Sequence, residues 1–265
     1  MQLSSNLSEN LAAFNTMFGP SADYYAKQVT VGGCPAAILL FDGMTSLSSL
    51  GSLLLDSVDR AAQFGAQPPA GGRQVFERQP YHSDLPAQGS PVGTTEDAVR
   101  MLTAGFALLL LDGWEQGIAF SVQSLQFRSI EEPAGEGSLR GSREGFADLL
   151  RVNLSLLRRL VRTGDLVMEV AQADTAMRTE YALCYCRDKA DKEMVARVRG
   201  ILKEAKPELL QDSSYFVPWL LPVKYRLFTP AGYTERPAVA AAKLCEGKLV
   251  VLVNGSPSAL VLPAP

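Results

Sequence analysis

Apolar and polar positions along this chain follow a pattern that predicts short helices and buried strands, and the pattern occurs twice. The stretch 98–120, AVRMLTAGFALLLLDGWEQGIAF, aligns without a gap with 240–262, AAAKLCEGKLVVLVNGSPSALVL, at an offset of 142 residues. Each copy has a helical period, a glycine, an apolar run, a two-residue turn and a second apolar run. Asp-Gly and Asn-Gly are preferred turns of tight β-hairpins. The pattern therefore predicts a helix and a β-hairpin in each half.

The segments that precede each copy also correspond, although more loosely. Residues 36–55 predict a strand and then a helix, and residues 181–202 predict a strand and then a helix that begins near Asp188 or Asp191. A short helix that ends near Gly19 is expected before them. We therefore expect an α/β protein of two small subdomains, each a mixed sheet with helices packed on it, related by an internal repeat.

Composition divides the chain into an N-terminal α/β subdomain over 1–127, a linker over 128–145 and a C-terminal α/β subdomain over 146–265. The linker is charged and rich in glycine, and it shows no hydrophobic period. A second irregular stretch, 64–95, is a loop rich in Pro and Gly, and loops of that length are usually functional or mobile. It contains His82, the one histidine of the chain, which we expect to be solvent-exposed rather than a general base.

The segment after the linker predicts an amphipathic helix with Ser142 as its N-cap and an asparagine in its apolar stripe. The stripe comprises Phe146, Leu149, Leu150, Leu157 and Leu160. The opposite face is expected to carry Arg151, Arg158 and Arg162. Asn153 falls within the stripe, where an unpaired amide would cost about 1–3 kcal/mol. We therefore expect its amide to bind the following loop or a strand end, with a ligand or subunit contact as the alternative.

Three interpretations remain open for the arginine face of this helix. It is a solvated surface, a contact for an acidic protein partner or another subunit, or a surface attracted to anionic lipid headgroups. The net charge of −3 argues against nucleic acid as the main partner, because nucleic-acid-binding proteins usually carry a basic excess.

The sequence lacks the motifs that are typical of several functional classes. The chain has no phosphate-binding glycine motif and no G-x-S-x-G nucleophile motif. Its first residues do not resemble a secretory signal peptide, and its longest apolar runs are shorter than the roughly 20 residues of a membrane-spanning helix. We expect a binding or signalling module that is not an enzyme and that holds no cofactor or metal.

The chain has four cysteines, Cys34, Cys184, Cys186 and Cys245. Cys184 and Cys186 alternate within YALCYC, so they would point to one face of a strand. Their spacing is neither C-x-x-C nor a zinc pattern. Reduced thiols packed in the core are the favoured interpretation, and a metal or redox site is the alternative.

Two long segments resemble the signatures of spore germinant receptor A subunits. EEPAGEGSLRGSREGFADLLRVNLSLLRRLV, 131–161, resembles that family's E-P…E…RGPREGF-x-E-x-L-x-x-N-x-x-L-I-R-R-R pattern. ERPAVAAAKLCEGKLVVLVNGSPSALVLPAP, 235–265, is similar to its E-R-P-D…L-x-E-G-R-V…V-D-G-x-P-x-A segment. The chain departs from these patterns at Ser142, Leu160, Ala238 and Lys248, where proline, arginine, aspartate and arginine are usual.

The resemblance implies the N-terminal cytoplasmic domain of a membrane protein whose membrane part is absent from this chain. Family members lie in the inner membrane of bacterial endospores together with germinant receptor B and C subunits. In this family nutrients trigger ion release and germination, and the resemblance implies an A subunit that self-associates into an ion channel. The implied location is the cytoplasmic side of the spore inner membrane, and a small-molecule nutrient is a further candidate partner.

The resemblance also nominates site residues, which we expect to transmit subdomain or subunit rearrangement. The candidates in the joint and its anchoring helix are Arg140, Gly141, Arg143, Gly145, Asn153, Arg158 and Arg159. The structural candidates of the second motif are Glu235, Arg236, Pro237, Glu246, Gly247, Asn254, Gly255 and Pro257. Two alternatives remain: a nutrient-binding domain whose two lobes close on a ligand, or the paralogous stage V sporulation AF protein.

Overall fold

The structure is a computed structural model, and it describes residues 1–31, 33–46, 51, 71–73, 89–123, 135–136, 142–175, 177–220 and 231–263. The chain divides into two compact units. Unit 1 consists of Met1–Gly19, Asp23–Gln126 and Arg162–Gly164. Unit 2 consists of Pro20–Ala22, Phe127–Val161 and Asp165–Pro265.

Unit 1 contains an antiparallel sheet, and the described helices that flank it pack against one of its faces. Its described elements are α1 (Leu7–Phe18), β1 (Tyr24–Val31), β2 (Cys34–Phe41), β3 (Gly89–Val92), α2 (Thr95–Thr103), β4 (Ala107–Leu111) and β5 (Gly117–Phe120). The strand order is β1-β2-β4-β5-β3. Leu39 and Leu108 of the central strands share a buried cluster with Phe14 of α1 and Leu102 of α2, which are 1% and 0% exposed.

Unit 2 also contains a five-stranded antiparallel sheet. Its described elements are α3 (Leu150–Leu160), β6 (Leu166–Gln172), β7 (Glu180–Cys186), α4 (Lys192–Glu204), a 3₁₀ helix (Ser213–Phe216), α5 (Val217–Leu220), β8 (Gly232–Thr234), α6 (Pro237–Cys245), β9 (Leu249–Val253) and β10 (Ala259–Leu262). The strand order is β6-β7-β9-β10-β8. Helices α3 and α6 cover one face of this sheet, and α4 with the 3₁₀ helix covers the other.

The predicted internal repeat and two-subdomain α/β fold are confirmed. The two sheets share one strand order, and α2, β4 and β5 are offset by 142 residues from α6, β9 and β10. The glycines of the repeat adopt matching left-handed backbone conformations. Their φ angles are +90° at Gly105, +86° at Gly247, +77° at Gly113 and +95° at Gly255. The glycine stops and hairpin turns therefore lie where the hydrophobic pattern predicted them.

The expectation of mixed sheets was wrong, because all the strand pairs among the described residues are antiparallel. Sequence reasoning missed the short edge strands β3 and β8. Each comes just before the helix that leads into β4 or β9. Because the chain runs along this extra edge strand first, β4 pairs antiparallel with β2, and β9 with β7.

Two local predictions are confirmed and others fall outside the described residues. Helix α1 ends at Phe18, and α4 begins after Asp191, whose carboxylate accepts a hydrogen bond from Met194 N at 2.7 Å. The helix predicted to follow β2 and most of the loop 64–95, with its histidine, lie outside the described residues, as does most of the linker 128–145. Within the described part of the chain, no helix has the length and apolar character needed to cross a membrane.

Candidate functional site

Residues 142–149, here called the strap, form a segment without helix or strand in front of α3. The prediction that Ser142 caps a helix running through Phe146 was wrong, since α3 begins at Leu150. The backbone N–H groups of the strap are engaged elsewhere: Phe146 N donates to the carbonyl of Glu235 at 2.7 Å. The first turn of α3 is capped from a distance by Asn254, whose Oδ1 accepts from Leu150 N at 3.0 Å.

Asn153 holds the strap against α3. Its side chain is 0% exposed, which confirms that it points inward. Its Oδ1 accepts from Ala147 N at 2.8 Å, and its Nδ2 donates to Ala147 O at 2.6 Å. The amide thus satisfies both backbone groups of one strap residue, and it binds the segment before the helix rather than the loop after it.

The second family motif reaches the same strap from the start of α6. Arg236 Nη2 donates to Ser142 O at 3.2 Å. Pro237 is the buried first residue of α6, a position where the missing N–H costs nothing. The strap is therefore bound by the motif that begins at Glu235, although the two are far apart in sequence.

Residues 135 and 136, the other described residues of the predicted linker, bind the same motif. The carboxylate of Glu235 accepts from Gly135 N at 2.9 Å. The carboxylate of Glu136 accepts from the hydroxyl of Thr234 at 2.8 Å and from Glu235 N at 3.3 Å. This end of β8 is thus hydrogen-bonded to the linker on one side and to the strap on the other.

The three arginines nominated near the strap have different surroundings. Arg159 pairs with Glu144 of the strap at 2.5 Å, and both side chains are largely buried, with 21% and 28% exposed. Arg143 is exposed, whereas Gly145 beside it is buried. The remaining one, Arg158, is 0% exposed.

The prediction that Arg158 lies on the exposed face of the helix was therefore wrong. It follows Leu154 by four residues and precedes Val161 by three, so it lies on their buried side of the helix. Its Nη2 donates to Ser21 Oγ at 2.9 Å and to Leu166 O at 3.0 Å. The predicted stripe also fails at Leu149 and Leu160, which are 63% and 40% exposed.

The remaining motif residues divide into two groups. Asn254 and Gly255 lie at the strap, where Gly255 N donates to Asp148 O at 2.7 Å. Three others make no described contact with it: Glu246 pairs with Lys243, Pro257 is exposed, and Gly247 lies against another turn. A Cβ at Gly247 would come within 2.7 Å of Lys189 O, so this position requires glycine for space as well as for its φ. Arg140 and Gly141 lie outside the described residues.

Sequence reasoning missed Asn10, which does in unit 1 what Asn153 does in unit 2. Its Oδ1 accepts from Ser4 N at 2.9 Å, and its Nδ2 donates to Ser4 O at 2.7 Å. Leu3 N donates to Gly93 O at 3.1 Å, as Phe146 N does to Glu235 O. An alignment of MQLSSNLSEN with 144–153, EGFADLLRVN, carries this signal, since both asparagines then coincide. The strap is thus a feature of the repeat, which supports a structural role for Asn153.

Cys34, Cys184 and Cys186 are buried, as the favoured interpretation predicted, whereas Cys245 is exposed. Cys184 and Cys186 belong to one buried cluster, which confirms that they share a face of β7. Burial raises the pKa of the Cys186 thiol to about 11, so it stays protonated and is a weak nucleophile at neutral pH. Among the described residues, no group of three or more His, Cys, Asp or Glu side chains could hold a metal ion.

Comparison with curated proteins yields spore germination proteins. Spore germination protein KA of Bacillus subtilis is 26% identical over 266 residues, which cover 99% of this chain and 48% of that protein. Spore germination protein B1 of the same organism is 28% identical and covers 100% and 54%. Stage V sporulation protein AF of the same organism is 30% identical over 180 residues, covering 68% and 36%. The chain spans about half the length of the first two relatives.

Comparison with solved structures also yields a spore germination protein. The chain is similar to the crystal structure of the N-terminal domain of the A subunit of the Bacillus megaterium spore germinant receptor GerK3. The TM-score is 0.76 at 24% identity, and the match covers 100% of this chain and 97% of that one. The two chains therefore share the fold. The model of the Bacillus/Clostridium GerA spore germination protein family matches residues 12–265. As its two motifs predicted, the chain belongs to the GerA spore germination protein family.

Proposed function

We propose that this chain is the N-terminal cytoplasmic domain of a germinant receptor A subunit and acts in receptor assembly and gating during nutrient-triggered germination. Membership of the GerA family supports the process, and the shared fold with the GerK3 domain supports the architecture. Association with B and C subunits, self-association of A subunits and a place at the spore inner membrane are parts of this proposal. The role proposed is non-catalytic.

The observation that carries the proposal is the contact of the two family motifs at the strap. The strap begins within the last residues of the linker, so displacement of the linker would act first on the contacts of Ser142, Glu144 and Phe146. These residues bind Arg236, Arg159 and Glu235 respectively. Such contacts join one short segment to both α3 and α6. The strap is thus suited to pass a displacement on to the rest of unit 2.

A charge exchange in the strap tests this role in spores that carry the complete gene. Glu144→Arg and Arg159→Glu each place like charges where an ion pair now lies, and each is expected to slow nutrient-triggered germination. The double variant restores opposite charges and is expected to recover most of the wild-type rate. Arg158 is unsuited to this test, because a charge reversal at a buried position would disrupt folding.

The matched control is Lys206→Glu, which reverses one charge of the exposed pair between Lys206 and Asp174 in the same unit. Exposed pairs contribute little, so germination should stay at the wild-type rate. Receptor levels are measured by immunoblot in every strain. Normal germination in both single variants, at normal receptor levels, would rule out a role for the strap.

A second candidate is the stage V sporulation AF paralogue, favoured by the 30% identity to that protein. The neighbouring genes separate the two, since an A subunit gene commonly lies with B and C subunit genes. Nutrient binding by this domain stays a prediction, which a thermal-shift screen with amino acids and sugars would test.

A further inference from the structure

Arg158 has the largest of the fully buried side chains among the described residues. A buried cation is costly unless its donors are satisfied, so the guanidinium depends on the oxygens around it. Two of these are the hydroxyl of Ser21, at 2.9 Å, and the carbonyl of Leu166, at 3.0 Å. Ser21 lies 137 residues from Arg158 in the sequence.

Ser21 lies in a short segment that borders the start of β6. Its Oγ accepts a second hydrogen bond from Met168 N at 3.1 Å, and Ala22 N donates to Met168 O at 2.8 Å. Ser21 is 4% exposed. Pro20–Ala22 thereby belongs to unit 2, although it precedes β1 of unit 1 in sequence. At the repeat offset its counterpart is Arg162–Gly164, which belongs to unit 1.

We propose that Arg158 is a positioning residue that keeps Pro20–Ala22 docked on unit 2, an arrangement we call the Arg158–Ser21 latch. The charged guanidinium supplies the bond that orients the Ser21 hydroxyl, and the hydroxyl in turn receives Met168 N. The segment stays beside β6 only while this chain of hydrogen bonds is intact. Unit 2 is then completed by residues from the N-terminal half of the sequence. This inference does not depend on the proposed function.

Amide hydrogen exchange on the whole chain tests the latch. Arg158→Met removes the charge but fills a similar volume with an apolar side chain, so the core stays packed. Ser21→Ala removes the acceptor instead. In both variants the amide of Ala22 is expected to exchange about tenfold to 100-fold faster than in the wild type, because a hydrogen bond to a charged group is lost. The amides of α4, on the other face of the sheet, are expected to keep their wild-type rates.

Arg151→Met is the matched control, since it removes an exposed arginine from the same helix. It should leave exchange at Ala22 unchanged. Arg158→Lys retains a charged donor and should exchange at Ala22 more slowly than Arg158→Met. If Arg158→Met does not fold, Ser21→Ala gives the same readout. Unchanged exchange at Ala22 in Ser21→Ala, or equally faster exchange throughout unit 2, would overturn the latch.

Discussion

At the scale of single residues, two equivalent asparagines of the repeat are polar groups whose burial the structure explains. An amide carries both a donor and an acceptor, so it can bind the N–H and the C=O of one backbone residue at once. Asn153 does this to Ala147, and Asn10 does it to Ser4. Both asparagines are buried, at 0% and 7% exposed. Each fixes the segment that leads into the first helix of its unit.

Loss of either asparagine should therefore destabilise the protein. We expect Asn153→Ala and Asn10→Ala each to lower the free energy of unfolding by about 1–3 kcal/mol, because two backbone groups lose their partner. Asn153→Asp should also destabilise, since a carboxylate can accept from Ala147 N but cannot donate to Ala147 O. Urea unfolding measures these changes, with exposed Gln172→Ala as the control. An Asn153→Asp variant as stable as wild type would contradict the assignment.

At the scale of elements, the equivalent helices α2 and α6 begin differently. Thr94 caps α2 with its hydroxyl, which accepts from Asp97 N at 3.1 Å, and the first turn carries acidic residues. Helix α6 follows Arg236 without a side-chain cap, and its first turn has no acidic residue. At the repeat offset, Ala238 corresponds to Glu96. This is the position where the family usually has aspartate.

Restoring the acidic residue should stabilise α6. A negative charge in the first turn interacts favourably with the helix dipole, so Ala238→Asp is expected to raise the free energy of unfolding by about 0.3–1 kcal/mol. Ala242→Asp makes the same change in the exposed last turn of α6 and should lower it by a similar amount. Thermal unfolding at low ionic strength compares the two. If both substitutions shifted the melting temperature in the same direction, the helix dipole would be excluded as the cause.

At the scale of the whole molecule, each unit joins its last hairpin to its first helix. Asp112 in the β4–β5 turn accepts from Leu7 N at 3.1 Å, and Asn254 in the β9–β10 turn accepts from Leu150 N at 3.0 Å. The first N–H group of each of these helices thus donates to a side chain more than 100 residues away along the chain, although α1 also has a local N-cap at Asn6. Every unit is closed by a contact between its beginning and its end.

The equivalence of the two caps predicts that they can be exchanged. Asn254→Asp and Asp112→Asn both keep the acceptor oxygen. The first should gain about 0.3–1 kcal/mol from the added charge at a helix N-terminus, and the second should lose as much. Asn254→Ala removes the acceptor and should cost about 0.5–2 kcal/mol. The urea concentration at the midpoint of unfolding is compared between these variants and the wild type, on condition that the m-value is unchanged. Equal stability of Asn254→Asp and Asn254→Ala would refute capping at this site.

The sequence by itself determined the repeat, the central strands and the motif turns. Strands β4 and β9 are buried on both faces, so their unbroken apolar runs identify them. The glycine stops and hairpin turns follow from backbone conformations that only a few residues adopt. The inward direction of Asn153 follows from helical periodicity. These features depend on residues close together in sequence, and local patterns therefore predict them.

Only the tertiary structure decided the edge strands, the start of α3 and the burial of Arg158. Strands β3 and β8 are too short to show an alternating pattern, and they form because β5 and β10 lie beside them. Helix α3 begins where a distant asparagine caps it, and Arg158 is buried because Ser21 supplies an oxygen from the other half of the chain. A polar group is stable inside a protein only when a partner reaches it, and the fold determines which partners do.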